Sequence, residues 1–440
     1  MNAALRATMW ASGLLFCAAL VPACGSSSPS TGTGTTGPDA YGPGWSAVHA
    51  DAGNSDYSPV RGARRLVAAW QRQFAGSINL GPTSDDRGRL YLTLNSPAGC
   101  HLFALDGATG DTVWCSAAVD RFASISSPLL DRDGRLFVAD SRAMQAFTTD
   151  GEPLWQTPIV GVPLSAQFTP DGHLIFITHI GRIYVLRRED GRALLPPLEL
   201  VPGATYTPGE PVLACATGRP ACPSANTPAI DPAGRFIFTF WTPGAATSGL
   251  RAVQYRGGAQ PSLTPLWTNE SLPGGSASSP TLSADGRRVY VTDNDGSLRA
   301  LDIATGEEIW SFPIGYPAAG SPSRSPEGLI MPAGGGFGPV VAVQDRGDRG
   351  ELAWIQEGWT NGGIPTQAAG ELAYVTDLVG GVINELVVAD TRSGAELERH
   401  RLGVVGFTVG TTLGLDGTVY VPSILGRLFA FRPADGEPSP

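Results

Sequence analysis

One pattern recurs along this chain and limits what it can fold into. Ser126-Ser127-Pro128-Leu129-Leu130-Asp131 and Ser278-Ser279-Pro280-Thr281-Leu282-Ser283 are copies of one another. Each is followed by an Asp-Gly turn (Asp133-Gly134, Asp285-Gly286) and an alternating strand, Leu136-Phe137-Val138-Ala139 or Val289-Tyr290-Val291-Thr292. A second hairpin then leads to a turn and a Trp, at Trp155 and Trp310. Four short strands per unit, alternating with period two between turn residues, describe one blade of an all-β repeat architecture. The glycine between the first two strands can be followed through Gly88, Gly134, Gly172, Gly234, Gly286, Gly328, Gly370 and Gly417. These eight positions predict eight four-stranded antiparallel blades, or seven should one unit prove degenerate. Repetition also explains how 440 residues form one domain, because repeats grow by adding units rather than by enlarging a core. The 57 Gly and 37 Pro supply the turns that such a fold requires.

The best copies carry a family resemblance. Leu105-Asp106-Gly107-Ala108-Thr109-Gly110-Asp111-Thr112-Val113-Trp114 and Leu301-Asp302-Ile303-Ala304-Thr305-Gly306-Glu307-Glu308-Ile309-Trp310 resemble the A-x-D-x-x-T-G-x-x-x-W motif of PQQ-like (quinoprotein-type) β-propellers. Weaker copies end at Trp155, Trp267 and Trp354, and Leu194 or Leu195 and Leu397 stand in for Trp in the third and seventh units. In the resemblance the glycine permits a turn with positive φ, and the indole fills the space between blades. The last unit stops at Pro440 with no fourth strand, while Leu66-Val67-Ala68-Ala69-Trp70-Gln71-Arg72-Gln73-Phe74 is a strand with a Trp and no blade before it. Trp70 therefore belongs to a strand that completes the eighth blade and closes the ring, removing exposed sheet edges.

The first residues are a targeting segment. Arg6 precedes an apolar run from Met9 to Val21, shorter than the ~20 residues needed to span a bilayer. Val21-Pro22-Ala23-Cys24 resembles a bacterial lipobox, which implies a signal peptide over 1–23 and acylation of Cys24. Residues 24–44 read as a Gly/Ser/Thr/Pro-rich tether, and 45–440 as the propeller. Ordinary secretory cleavage is the alternative. Export makes the remaining cysteines candidates for two disulfides. Cys100 and Cys115 flank one hairpin turn, and Cys215 and Cys222 close a short loop.

Chemistry is harder to find. A net charge of −10 disfavours nucleic acid as a partner. All 30 basic residues are Arg, so no Schiff-base lysine exists. The quinone-dependent enzymes of the resembled family carry adjacent cysteines, a calcium site and a haem motif, and the chain lacks the adjacent cysteines and C-x-x-C-H. His173 and His179 would lie about 20 Å apart on one strand, too far to share a metal. His49, His101 and His400 read as ordinary surface or satisfied histidines. Asp293-Asn294-Asp295-Gly296 reads as a turn rather than a calcium loop, and Gly334-Gly335-Gly336-Phe337-Gly338 follows no βα unit and so cradles no phosphate. No catalytic set, metal site or cofactor is expected. What remains is surface. Asn79, Ser126, Ser127, Gln167, Asn226, Thr227, Ser278, Ser279, Ser321, Gln367 and Thr411 precede or begin the inner strands and form a candidate polar rim for a peptide or glycan. The expectation is a monomeric cell-envelope lipoprotein, held to the membrane by lipid alone, that binds envelope proteins or peptides through its faces and funnel. It is similar in layout to the propeller lipoprotein of the outer-membrane β-barrel assembly machinery. The alternatives are a quinoprotein-type dehydrogenase and a carbohydrate-active or carbohydrate-binding protein.

Overall fold

The computed structural model describes residues 40–437 except Ala98 and Ala221. The signal segment, Cys24 and most of the tether lie outside the described residues. Eight sheets form the blades, over residues 83–116, 129–158, 167–199, 229–272, 281–313, 323–360, 366–403 and 412–433, the last joined by Leu66–Gln73. Among the described residues two short 3-10 turns, Arg121–Ile125 and Leu213–Thr217, interrupt the β structure. In every blade the innermost strand comes first in the chain and the outermost last, except that Leu66–Gln73 is the outer strand of blade 8. It pairs antiparallel with Arg427–Pro433, from Leu66 opposite Pro433 to Gln73 opposite Arg427. Chain start and chain end thus share one sheet, and the ring is closed.

The repeat motif has a direct packing cause. All eight tracked glycines turn with φ between +66° and +92°. Each of the six blade-docking tryptophans sits opposite an alanine of the neighbouring strand: Trp70 with Ala430, Trp114 with Ala104, Trp155 with Ala146, Trp267 with Ala252, Trp310 with Ala300 and Trp354 with Ala342. A β-bulge beside each pair twists the outer strand. The indole then crosses to the next blade. Trp70, Trp114, Trp155, Trp267 and Trp354 donate Nε1–H to backbone carbonyls there, at 2.7–3.0 Å, and Trp310 donates to Asp345 Oδ1 at 3.2 Å. A glycine at the third–outer turn of the next blade lies under each ring: Gly110, Gly151, Gly191, Gly306, Gly350 and Gly394, of which Gly110 and Gly306 follow a Thr. At Gly306 (φ +73°) a Cβ would stand 2.5 Å from the Trp267 indole, so the glycine is required by both backbone and neighbour. Leu194, Leu195 and Leu397 pack where an indole is missing.

Two faces result. One carries the first–second and third–outer hairpin turns, hence the tracked glycines and Thr-Gly turns. The other carries the second–third turns and the longer blade-to-blade connections. Both disulfides brace this second face: Cys100–Cys115 in blade 1, and Cys215–Cys222 in the 200–228 connection.

The N-terminal segment departs from the sequence-based domain boundary. Ala40–Gly44, assigned to the tether on composition, is packed into the ring: Ala40 and Gly42 exchange backbone hydrogen bonds with Leu130 and Arg132, and the Tyr41 hydroxyl bonds Gln167 and Phe168. Beyond it the chain crosses the channel. Carbonyls of Trp45, Ser46, Ala52, Gly53, Ser55 and Asp56 accept the N–H groups of Ser84, Leu130, Ile230, Leu282, Arg324 and Gln367, one inner strand after another. Tyr57–Arg61 then adds a parallel fifth strand inside blade 7. These inner strands show an unpaired edge to the axis, and the segment satisfies it.

Candidate functional site

The blade-to-blade connections converge on the axis and leave a cavity of about 280 Å³. Every junction contributes, through Leu80, Ile125, Leu164, Ala225, Ala277, Ala319, Ile364 and Val409, so the walls are mainly apolar. The polar part is local. His49, from the N-terminal segment, meets Ser279 and Ser321 of blades 5 and 6; Asn226 and Thr227 enter the neighbouring blade 4, and Asn79 lines the cavity from blade 1. His49 is 4% exposed and partnered on both ring nitrogens, by Asp56 at Nδ1 and by the two serine hydroxyls at Nε2. Burial pushes the Asp56 carboxyl above the usual carboxylate range, against the pull of the neighbouring imidazole.

The expected polar rim is redistributed. Asn79 and Asn226 line the cavity, with amides bonded to Ser124 Oγ and the Ser276 carbonyl. Ser126, Gln167, Ser278 and Gln367 are buried instead. Gln167 holds Asn54 of the threading segment at 3.1 Å and accepts from Tyr41, while Gln367 bonds Ser323 and the Leu329 carbonyl. At Gln167 the reason is the segment itself, whereas the Ser126 hydroxyl accepts the Ala139 N–H of its own blade and the Ser278 hydroxyl donates to the Ser279 carbonyl. The 200–228 connection covers part of the same face, where Tyr206, Val212, Cys215 and Cys222 pack with Val162, Phe122 and Ile125. His179 fixes this corner: Nδ1 accepts the Val162 N–H at 3.0 Å and the ring meets Tyr206 edge-on. Desolvation holds that imidazole down at about 4.

Around the cavity mouth the second–third turns of blades 6, 7 and 8 are apolar and exposed. Phe337 is 73% exposed, at the tip of the glycine loop 334–338, with φ +58°. Val379 and Val382 follow in blade 7, Val404 in the connection to blade 8, and Ile424 and Leu425 in blade 8. Ile424 also lines the cavity, so patch and cavity are continuous. The other exposed large hydrophobics sit mainly on outer strands, one or two in each of blades 1, 2, 4, 5, 6 and 8. Sequence reasoning missed this patch because its residues are far apart in the chain and share only a position in the repeat.

The quinone and calcium of the resembled enzymes do not fit. Among the described residues no group of three or more His, Cys, Asp or Glu is placed to hold a metal. The cavity lining holds no arginine to meet an anionic quinone and no carboxylate to hold calcium, and the threading segment covers the inner strands of six blades. No helix among the described residues is long and apolar enough to cross a membrane.

Comparison with known proteins agrees with the architecture. The family model described as outer membrane protein assembly factor BamB matches residues 62–196 and 250–403. Protein Rv3035 of Mycobacterium tuberculosis (strain ATCC 25618 / H37Rv) is 32% identical over 400 residues, covering 89% of this chain and 96% of its own. BamB from Moraxella catarrhalis superposes with a TM-score of 0.60 at 16% identity, covering 84% of this chain and 100% of that one. Quinohemoprotein alcohol dehydrogenase from Comamonas testosteroni gives 0.63 at 15% identity, covering 90% and 82%. Identities this low establish a shared fold and no shared chemistry.

Proposed function

The chain belongs to the family described as outer membrane protein assembly factor BamB, and from that membership we propose that it is a protein-binding scaffold of the cell envelope. One observation carries the reading. The apolar turns of three consecutive blades, Phe337, Val379, Val382, Ile424 and Leu425, lie on one face beside the funnel. Contiguous exposed apolar surface on a rigid ring is the usual signature of a protein contact. An exposed Phe held at positive φ adds to it, because strain at an exposed aromatic brings no packing in return. Acylation of Cys24 is the proposed means of retention, with residues 25–39 as the tether. Its test is fractionation: Cys24→Ser should move the protein from the membrane to the soluble fraction, and unchanged membrane retention would remove the anchor from the account.

The scaffold itself is tested by affinity capture from solubilised envelope with the wild type and a Phe337→Asp, Val382→Asp, Leu425→Asp variant. The expected result is an envelope protein recovered with the wild type and lost with the variant. Recovery of no envelope protein above background, or equal recovery with both, counts against the proposed surface.

A further inference from the structure

The polar corner of the funnel cavity is connected in an order that protein docking does not need. Asp56 Oδ2 lies 2.9 Å and Oδ1 3.2 Å from His49 Nδ1. On the far side of the ring, Nε2 meets Ser321 Oγ at 3.0 Å and Ser279 Oγ at 3.3 Å. With the ring proton on Nδ1, facing Asp56, the Nε2 lone pair is available to accept from a hydroxyl. One lone pair takes one donor. Ser321 is the nearer, and the Ser279 hydroxyl hydrogen is left free to meet an acceptor in the cavity. His49, Ser279 and Ser321 are almost wholly buried, and the cavity is what reaches them.

The loop that carries the histidine and the carboxylate is strained. Ala50, Asn54 and Asp56 have φ of +73°, +55° and +44°, half of the six non-glycine residues with positive φ among the described residues. Backbone held in this region clusters where a side chain must be presented in one geometry. Here it turns His49 toward blades 5 and 6 with Asp56 behind it.

We propose that Ser321, His49 and Asp56 act as nucleophile, base and positioning carboxylate in the hydrolysis of small uncharged carboxylic esters bound in the funnel. Ser321 Oγ forms a bond to the ester carbonyl carbon while its proton passes to His49 Nε2. The Ser279 hydroxyl donates to the oxyanion of the tetrahedral intermediate. The carbonyl carbon–alkoxy oxygen bond then breaks, and the departing alcohol takes the proton from His49. Water repeats the sequence on the acyl-serine, releasing a carboxylic acid and restoring Ser321. The walls set the substrate class. Leu80, Leu164, Ile364 and Val409 suit an alkyl chain, and with no Arg, Asp or Glu in the lining a charged ester would be desolvated without a partner.

The inference is independent of the docking reading, and its test uses the full chain with p-nitrophenyl butyrate and a fluorophosphonate probe. The expected result is ester hydrolysis and a phosphonate adduct on Ser321, located by mass spectrometry. Ser321→Ala should lose the adduct and lower kcat/KM by about 10³-fold. Ser279→Ala should keep the adduct and lower kcat by about 10²-fold. Asp56→Asn should move the pH dependence of kcat/KM, which a purely structural role would leave in place. Ser321→Cys, which keeps a side chain in the same contact, should be alkylated by a neutral chloroacetamide at that position. A folded wild type with no adduct at Ser321 and no hydrolysis beyond the Ser321→Ala rate would overturn the proposal, leaving the three residues as a staple between the N-terminal segment and blades 5 and 6.

Discussion

The two faces of the ring solve different problems with the same repeat. On the turn face, each Thr-Gly turn lies under the indole of the preceding blade where that blade has one, as Gly306 does under Trp267 and Gly110 under Trp70. Local sequence there is consumed in docking one blade on the next. On the opposite face the connections differ in length, both disulfides are found, the cavity opens, and Phe337, Val382 and Leu425 stand exposed. On the proposed reading, stability and recognition are separated by about one strand length, so substitutions on the two faces should fail in different assays.

Removing residues 45–74 should have the largest effect, because it takes both the closing strand and the segment that satisfies the inner edges. The expected outcome is aggregation and loss of a cooperative melt. A truncated protein that stays monomeric and equally heat-stable would break the closed-ring account. Trp310→Ala, on the turn-face side, should cost about 4 kcal/mol in chemical denaturation, since a buried indole and its bond to Asp345 are lost.

Acid should act on the other face. His179 in the unfolded chain takes a proton near pH 6.5, whereas in the fold it does so only at about 4. Its contribution is therefore complete above about pH 6.5 and is lost as pH falls toward 4, by about 3 kcal/mol in total. The buried carboxyls of Asp56, Asp131 and Asp140 are shifted upward by burial and oppose this trend. The difference between wild type and His179→Gln across that range isolates the histidine, and no difference would mean that it does not hold the 200–228 connection through its neutral form. Gly306→Ala should cost about 2 kcal/mol, from positive φ and the indole 2.5 Å from the new Cβ. Phe337→Ser should change stability least, within about 0.5 kcal/mol, because the ring stands in solvent.

The turn face was legible in the sequence because each of its signals is local. A glycine at every first–second turn, period-two strands and a Trp after Thr-Gly all act within a few residues, and Trp70 betrayed ring closure as a strand without a blade. The funnel was not legible for the opposite reason. His49 lies 230 and 272 residues from Ser279 and Ser321, and only the closed ring joins them. Ala40–Gly44 has the composition of a linker yet is ordered through backbone bonds, to which composition is blind. Gln167 and Gln367 lie on inner strands, and what their polarity serves is set by distant partners, Asn54 of the threading segment for Gln167 and Ser323 of blade 6 for Gln367. Phe337 sits inside a glycine loop whose local sequence carries no signal of its exposure.

The central claim is that binding resides on the loop face and blade docking on the other surfaces. Site-specific photo-crosslinking in intact cells tests it most directly, with one photoreactive residue at a time at Phe337, Val382 or Leu425, and at Val113, Leu154 or Ile309 on the outer strands. The account expects discrete protein adducts from the first three positions and none from the second three. Adducts of equal yield from both sets, or none from the loop face, would contradict it.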